Sequence, residues 1–230
     1  MYKYAFEGTV IVVGILFSFY IEEMRIESKN IEIKNELLND LNRAVKNDLE
    51  QIENVQKLLN KSQLEINEIL RDINNNHKHL SDIETIEKLI SINVSVSFFP
   101  QDGVYTELVS SGSFELIKNK ELKSKLLEIY NHQKERNYSI SDEIDVLMKD
   151  YTLAIYEHFR ISIDYNSFDG DIYGRPILRD FVFNSEFYHS DKFYGMNSGM
   201  ILFSHLYNRL LNDIKKSHEA ILSLSLQEIS

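Results

Sequence analysis

The sequence predicts an all-α protein: an N-terminal transmembrane helix continuing into a long-helix antiparallel bundle, with short helices at the distal turn and an irregular, aromatic-rich segment before the last helix. Three observations predict it. Only two prolines and eight glycines occur in 230 residues, so little interrupts long helices, whereas an all-β chain needs many more turn residues. Residues 8–21 read GTVIVVGILFSFYI, without a charge. Beyond them Met24, Ile31, Leu38, Val45, Ile52, Leu59, Ile66 and Ile73 recur every seven residues, which is the stripe of a helix.

Residues 1–21 are read as a membrane anchor, 22–36 as a stalk helix and 37–230 as the bundle domain. A spanning helix needs about 20 apolar residues, so the charge-free run is short by itself. Extending it back through Phe6, Ala5 and Tyr4 supplies the length and places Glu7 near one end, within reach of headgroups. Contact with the lipid bilayer therefore runs through residues 4–21, with Tyr2, Tyr4 and Tyr20 as border aromatics. A cleaved signal peptide and a buried core helix are the rivals, but no small-residue cleavage site follows Tyr20, only IEEMRIESKN. Lys3 precedes the run, and Glu22, Glu23 and Glu27 outnumber Arg25 and Lys29 after it, which favours the start inside and the bulk outside.

The positions three further along the stripe are mixed: Leu41, Val55 and Ile69 alternate with Asp48 and Ser62. That is not the strict two-position seam of a dimeric coiled coil. Leu37, Ala44, Leu49, Leu58 and Leu70 widen the apolar face, as a bundle helix requires. Asn74, Asn75 and Asn76 end this helix, because asparagine competes for backbone hydrogen bonds and tolerates left-handed conformations. Ser81 and Glu84 form a capping box that starts a short helix to about Ile90. The alternation of Ile90, Ile92, Val94, Val96 and Phe98 with polar residues has the period of a strand. Its only available partners are Ile161-Ser162-Ile163 and Phe181-Val182-Phe183, so the stretch reads as an extended connector, with a minor hairpin as the alternative.

Asp102 is placed as N-cap of a short helix ending near Val109, and Ser110-Ser111-Gly112-Ser113 breaks it, with Gly112 supplying a positive φ. From Asn119 a second long helix runs to about Arg160, interrupted by a polar stretch at residues 133–137. Its length matches that of residues 37–73, which predicts antiparallel pairing of the two. A last helix over residues 197–228, with Leu202, Leu206, Leu210, Ile214, Ile221 and Leu224 inward, completes the bundle. Arg209, Asp213, Lys215, Lys216 and Glu219 make it too charged to span a bilayer.

Few residues carry chemistry. A net charge of −11 removes the basic face that nucleic-acid binding needs. The absence of cysteine removes disulfides, thiolate catalysis and cysteine-held metals while leaving the redox compartment open. None of the seven histidines (His77, His79, His132, His158, His189, His205 and His218) sits in a ligand helix of the HExxH kind. His77 and His79 are read as a solvated turn, and no metal or cofactor is expected. Asp164, Asn166, Asp169, Gly170 and Asp171 fall out of register with a calcium loop and read as an ordinary turn. Phe159, Tyr165, Phe168, Tyr173, Phe181, Phe183, Phe187, Tyr188, Phe193 and Tyr194 crowd residues 159–194, and the predicted topology puts them at the membrane-proximal end. A small core, a ligand pocket and a headgroup contact are all open there, with core packing ranked first.

The pattern EGTVIVVGILFSFYIEE, the heptad-like helix and VYTELVSSGSFELIKNKELKSKLLEIYN together resemble a domain-of-unknown-function family of single-pass membrane proteins from Gram-negative bacteria. The resemblance rests on Glu7, Tyr105, Leu108, Ser110, Ser111, Gly112, Leu116, Ile117, Lys118 and Tyr130. It implies a bacterial inner-membrane protein with its bulk in the periplasm, and it implies no activity. The functional expectation is a membrane-anchored, non-enzymatic interaction or sensor-like module with a protein partner or homo-oligomer. The alternatives are an accessory subunit of a larger membrane assembly and, last, a membrane-bound hydrolase, for which Ser110, Ser111 and His158 are the only candidates.

Overall fold

A computed structural model describes residues 2–164 and 175–229. In chain order it has α1 (Tyr2–Asn74), α2 (Asp82–Ser91), α3 (Gly103–Ser110), a 3₁₀ turn (Ser113–Leu116), α4 (Lys120–Leu127), a π-helical stretch (Glu128–Gln133), α5 (Lys134–His158), strands β1 (Phe159–Asp164) and β2 (Arg175–Phe181), α6 (Ser185–Tyr188) and α7 (Asp191–Ile229). The chain is predominantly helical, as the sparse glycine and proline require. Two compact units share α1 and α7: one holds residues 1–47, 101–130 and 218–230, the other residues 48–100 and 131–217.

The seven-residue stripe is buried from Leu38 onward, and the mixed positions between are buried too. Residues 34, 38, 41 and 45 in the first unit, and 48, 52, 55, 59, 62, 66, 69 and 73 in the second, are all under 9 % exposed. Spacing alternates between three and four, the seam of a packed helix. Asp48 and Ser62 therefore sit inside the seam and do not interrupt it. Leu58, expected to widen the apolar face, is exposed, as are Met24 and Ile31 at the start of the stripe.

On α7 the buried positions are Phe193, Asn197, Met200, Ser204, Tyr207, Leu210, Leu211, Ile214 and Ser217 in the second unit and His218, Ile221 and Ser225 in the first. Leu202 and Leu206, expected inward, point to solvent. Leu210, Ile214 and Ile221 do face inward, and the expectation fails nearer the start of the helix, where Asn197 and Ser204 occupy the seam.

Within the second unit α1 and α7 run antiparallel. Glu53 meets Lys215 at 2.7 Å, Gln56 meets Asn212 at 3.0 Å, Asn60 meets Asn208 at 3.1 Å and Asn74 meets Tyr194 at 3.3 Å. Each step up α1 is matched by an equal step down α7. The two long helices of the first two-thirds are not the antiparallel pair. Gln133 at the start of α5 bonds Ser217, and Tyr151 further along stacks on Phe193. So α5 is antiparallel to α7 and parallel to α1.

Residues 92–100 cause this. They form an extended connector: Asn93 exchanges two hydrogen bonds with the Ser62 hydroxyl, and the Phe99 amide donates to Gln51 at 2.9 Å. Six extended residues cover about 20 Å, and the eleven residues from Gln51 to Ser62 rise about 16 Å in a helix. The connector thus carries the chain back down the length of α1 before α5 begins.

Local chemistry sets the element ends. Ser81 and Glu84 make the capping box of α2, and Asn119 caps α4 by accepting from the amides of Glu121 and Leu122. Asp102 makes no side-chain cap to α3; its backbone carbonyl takes the Thr106 amide instead. Gly112 turns the chain with φ +77°. The polar break expected at residues 133–137 is displaced to the π-helical stretch, where one extra residue enters the turn. The hairpin pairs Phe159 with Phe181 and Asp164 with Arg175, with a bulge between Arg160 and Ile161; it does not take in the stretch from Ile90 to Phe98, and its second strand precedes Val182 and Phe183.

Candidate functional site

The C-terminus of α1 gathers the densest set of polar contacts among the described residues. It closes as a Schellman turn: the Asn76 amide donates to the Ile73 carbonyl at 3.0 Å and the His77 amide to the Asp72 carbonyl at 2.9 Å. Asn76 and His77 both have φ 55°, the left-handed region that asparagine tolerates. In such turns the residue after the left-handed position usually makes an apolar contact with the last helical turn. Here that pair is His77 and Asp72, and the contact is ionic.

His77 Nδ1 lies 2.6 Å from Asp72 Oδ2, and Nε2 lies 2.8 Å from Asp82 Oδ1. Ionised carboxylates only accept hydrogen bonds, so a ring satisfied on both sides carries both protons and is a cation. Asp72 is fully buried and also accepts the amides of His79 (2.8 Å) and Leu80 (3.1 Å) and the Tyr188 hydroxyl (2.9 Å). The His77 ring stacks on Phe183 with centroids 4.4 Å apart and planes 5° apart, and meets the Tyr188 ring edge-on at 5.2 Å. One imidazole therefore ties α1, α2, the segment between β2 and α6, and α6 itself.

Burial works against a charged ring, but the hydrogen bonds and charges of Asp72 and Asp82 outweigh it and hold the His77 proton above its ordinary value. Burial likewise opposes the Asp72 charge, and the bonds from His77, the His79 amide, Tyr188 and the Leu80 amide overcome it, leaving the carboxyl below its usual range. Burial, reinforced by the Asp72 charge, pushes the Tyr188 phenol far up, so it keeps its proton and donates it to Asp72. The position at the negative end of α1 adds to the preference for a cation.

A second buried network in the same unit seats the connector. Tyr207 Oη accepts the Phe98 amide at 2.8 Å and donates to Asn137 Oδ1 at 3.0 Å, while Asn137 Nδ2 returns to the Phe98 carbonyl at 2.8 Å. Tyr151 donates to the Leu89 carbonyl at 3.0 Å. In the other unit, Glu228 Oε1 accepts from Lys34 Nζ at 3.0 Å and from the Lys118 amide at 2.9 Å, and Oε2 from the Asn119 amide at 2.9 Å. Burial opposes the Glu228 charge, and these donors still lower its pKa.

The structure redistributes the residues singled out in the sequence. His77 is not a solvated turn residue, whereas its neighbour His79 is exposed. Ser110 donates to the Glu107 carbonyl and Ser111 to the Leu108 carbonyl in one unit. His158 lies in the other unit, where it meets Asn184 at 3.3 Å and Phe187 ring to ring at 4.0 Å. Within the aromatic cluster, Phe159, Tyr188 and Phe193 are buried, with Phe181, Phe183 and Phe187 packed against the same core. The cluster packs on the C-terminal end of α1, opposite to the end expected for it, because α5 runs parallel to α1. Tyr165, Phe168, Tyr173 and the acidic turn from Asn166 to Asp171 lie outside the described residues. In the sequence Tyr188 stands out only as one of the aromatic cluster, and Asp72 and Asp82 are not tied to His77 there, although a histidine five residues beyond an aspartate and five before a helix-starting aspartate is legible.

At the other end of α1, Val10, Ile11, Val12 and Val13 are each more than half exposed. Four consecutive positions, 100° apart, face all round a helix. Ile15, Leu16, Phe17, Phe19, Tyr20 and Ile21 continue the pattern. Among the described residues no helix is long and apolar enough to cross a membrane. A model of a family of unknown function (DUF6090) matches residues 7–163. No curated protein and no solved structure matches the chain.

Proposed function

We propose that this chain, which belongs to the DUF6090 family of unknown function, is a membrane-tethered, non-enzymatic interaction or sensor module. The observation that carries the reading is the apolar start of α1, exposed in every direction. An apolar stripe on one side would suit a protein partner, but apolar residues all round a helix suit a surrounding solvent that is itself apolar. The uncharged run of residues 8–21 rises about 21 Å, and residues 4–21 about 27 Å, against a hydrocarbon core of about 30 Å. Tilt is unnecessary and slight local thinning closes the gap. The charges flanking the run favour the start inside and the helical units in the periplasm of a bacterial inner membrane. The units would then face a protein partner or a second copy as parts of a net acidic chain.

Liposome flotation tests the tether. The full chain is expected to float with vesicles and to require detergent once purified, and a chain lacking residues 1–21 to stay in the aqueous fraction. A full chain that remains at the bottom of the gradient, or a truncated chain that floats equally well, overturns the reading.

A further inference from the structure

We propose that His77 is a proton-operated latch: its doubly protonated ring clamps the end of α1 to the start of α2, and loss of one proton frees the turn of residues 75–82 and uncovers the face of Phe183. This goes beyond the tether and does not depend on it. The charged and titratable groups facing the ring are Asp72 from α1, Asp82 from α2 and Tyr188 from α6; the remaining face is the Phe183 ring. The two carboxylates are unequal. Asp72 is buried with three other donors, whereas the Asp82 side chain is 54 % exposed.

A neutral imidazole has one N–H and one lone pair. The proton that remains belongs on Nδ1, because leaving the buried Asp72 oxygen without its closest donor costs more than releasing Asp82 to water. Nε2 then turns a lone pair toward Asp82 Oδ1, and an attraction at 2.8 Å becomes a repulsion. Asp82 is the first residue of α2, so its departure carries the helix start with it. His77 is itself in a left-handed conformation that the contacts hold in place. The result is a two-state element whose balance one proton shifts, which is what a sensor requires.

The sign follows from the raised His77 value. The contribution to closure is complete below the ring's ordinary pKa of 6.5, declines as pH climbs above it, and is gone once pH passes the raised value of the clamped ring. Local opening then grows by up to about tenfold per pH unit across that window, the limit for one proton.

The test is amide hydrogen exchange at residues 75–91 of the full chain in detergent micelles, from about pH 6 to about pH 9, for the wild type and His77→Gln. The ratio of their rates at each pH removes the intrinsic base dependence. The ratio is expected to rise with pH for residues 75–91 and to stay flat in α7. Asp82→Asn, at an exposed side chain, covers the case in which His77→Gln does not fold: it is expected to flatten the wild-type rise and to lower the midpoint of the His77 ring titration followed by NMR. A flat ratio, or an Asp82→Asn ring that titrates at the wild-type midpoint, overturns the latch.

Discussion

Lys34 Nζ lies 3.0 Å from Glu228 Oε1, with the two side chains 6 % and 5 % exposed. The Glu228 carboxylate also takes the amides of Lys118 and Asn119, so one buried charge joins α1, the start of α4 and the end of α7. Breaking a buried pair by removing one partner is costly because the other charge stays behind. Lys34→Met is expected to lose about 2–4 kcal/mol in urea unfolding. The double variant Lys34→Met, Glu228→Leu is expected to lose less than the two single variants together. Strict additivity would remove the pairing from the explanation of this unit's stability.

Asp72 accepts four hydrogen bonds from a fully buried position. Asp72→Asn replaces one acceptor oxygen by a donor that faces other donors. The expected loss is about 2–4 kcal/mol in the same assay, larger than for a surface aspartate such as Asp40. A change under about 0.5 kcal/mol, the scale of surface substitutions, would mean that the contacts do not contribute.

Acid and alkali act on different groups. Glu228 and Asp72 are both held below their ordinary values of 4.5 and 3.8, so their stabilisation is present above those values and lost as pH falls through the lower, folded ones. His77 works in the opposite sense, losing its contribution as pH rises above 6.5. Stability measured by thermal unfolding should therefore fall at both ends, and Lys34→Met should lower the plateau and change the steepness of the acid limb while leaving the steepness of the alkaline limb as it is. An alkaline limb unchanged by His77→Gln would contradict the assignment.

Much of the fold was legible where local chemistry decides it. The seven-residue stripe, the asparagine stop, the Ser81–Glu84 box and the Gly112 turn depend on residues close in sequence, and each is found where the spacing puts it. The pairing direction of the long helices was not legible. It depends on whether residues 92–100 turn tightly or travel, and their alternation is the same either way; the Ser62 and Gln51 side chains that hold them lie about 30 residues or more away. The inward face of α7 was legible at Leu210, Ile214 and Ile221 but not at Leu202 and Leu206, because the seam there and beyond is filled in part by Asn197, Ser204, His218 and Ser225, which hydrophobic counting passes over. In sequence His77 reads as a solvated turn residue because its partners Asp72, Asp82 and Tyr188 come from three separate elements.

Tyr207 tests the seat of the connector. Its hydroxyl accepts the buried Phe98 amide and donates to Asn137. Tyr207→Phe leaves that amide without its acceptor at nearly constant volume. The expected cost is about 1–3 kcal/mol, with faster hydrogen exchange at residues 93–99. Unchanged exchange there would mean that the connector is held by its apolar side chains alone.

Single-cysteine labelling tests the membrane tether most directly, because the chain has no cysteine of its own. Leu16→Cys and Leu64→Cys replace two side chains that are both well exposed, at 62 % and 67 %. In opened membranes, Leu64→Cys is expected to react readily with a membrane-impermeant maleimide, and Leu16→Cys to resist it until the bilayer is dissolved in SDS. Ready labelling of both positions in opened membranes before SDS is added would contradict the tether.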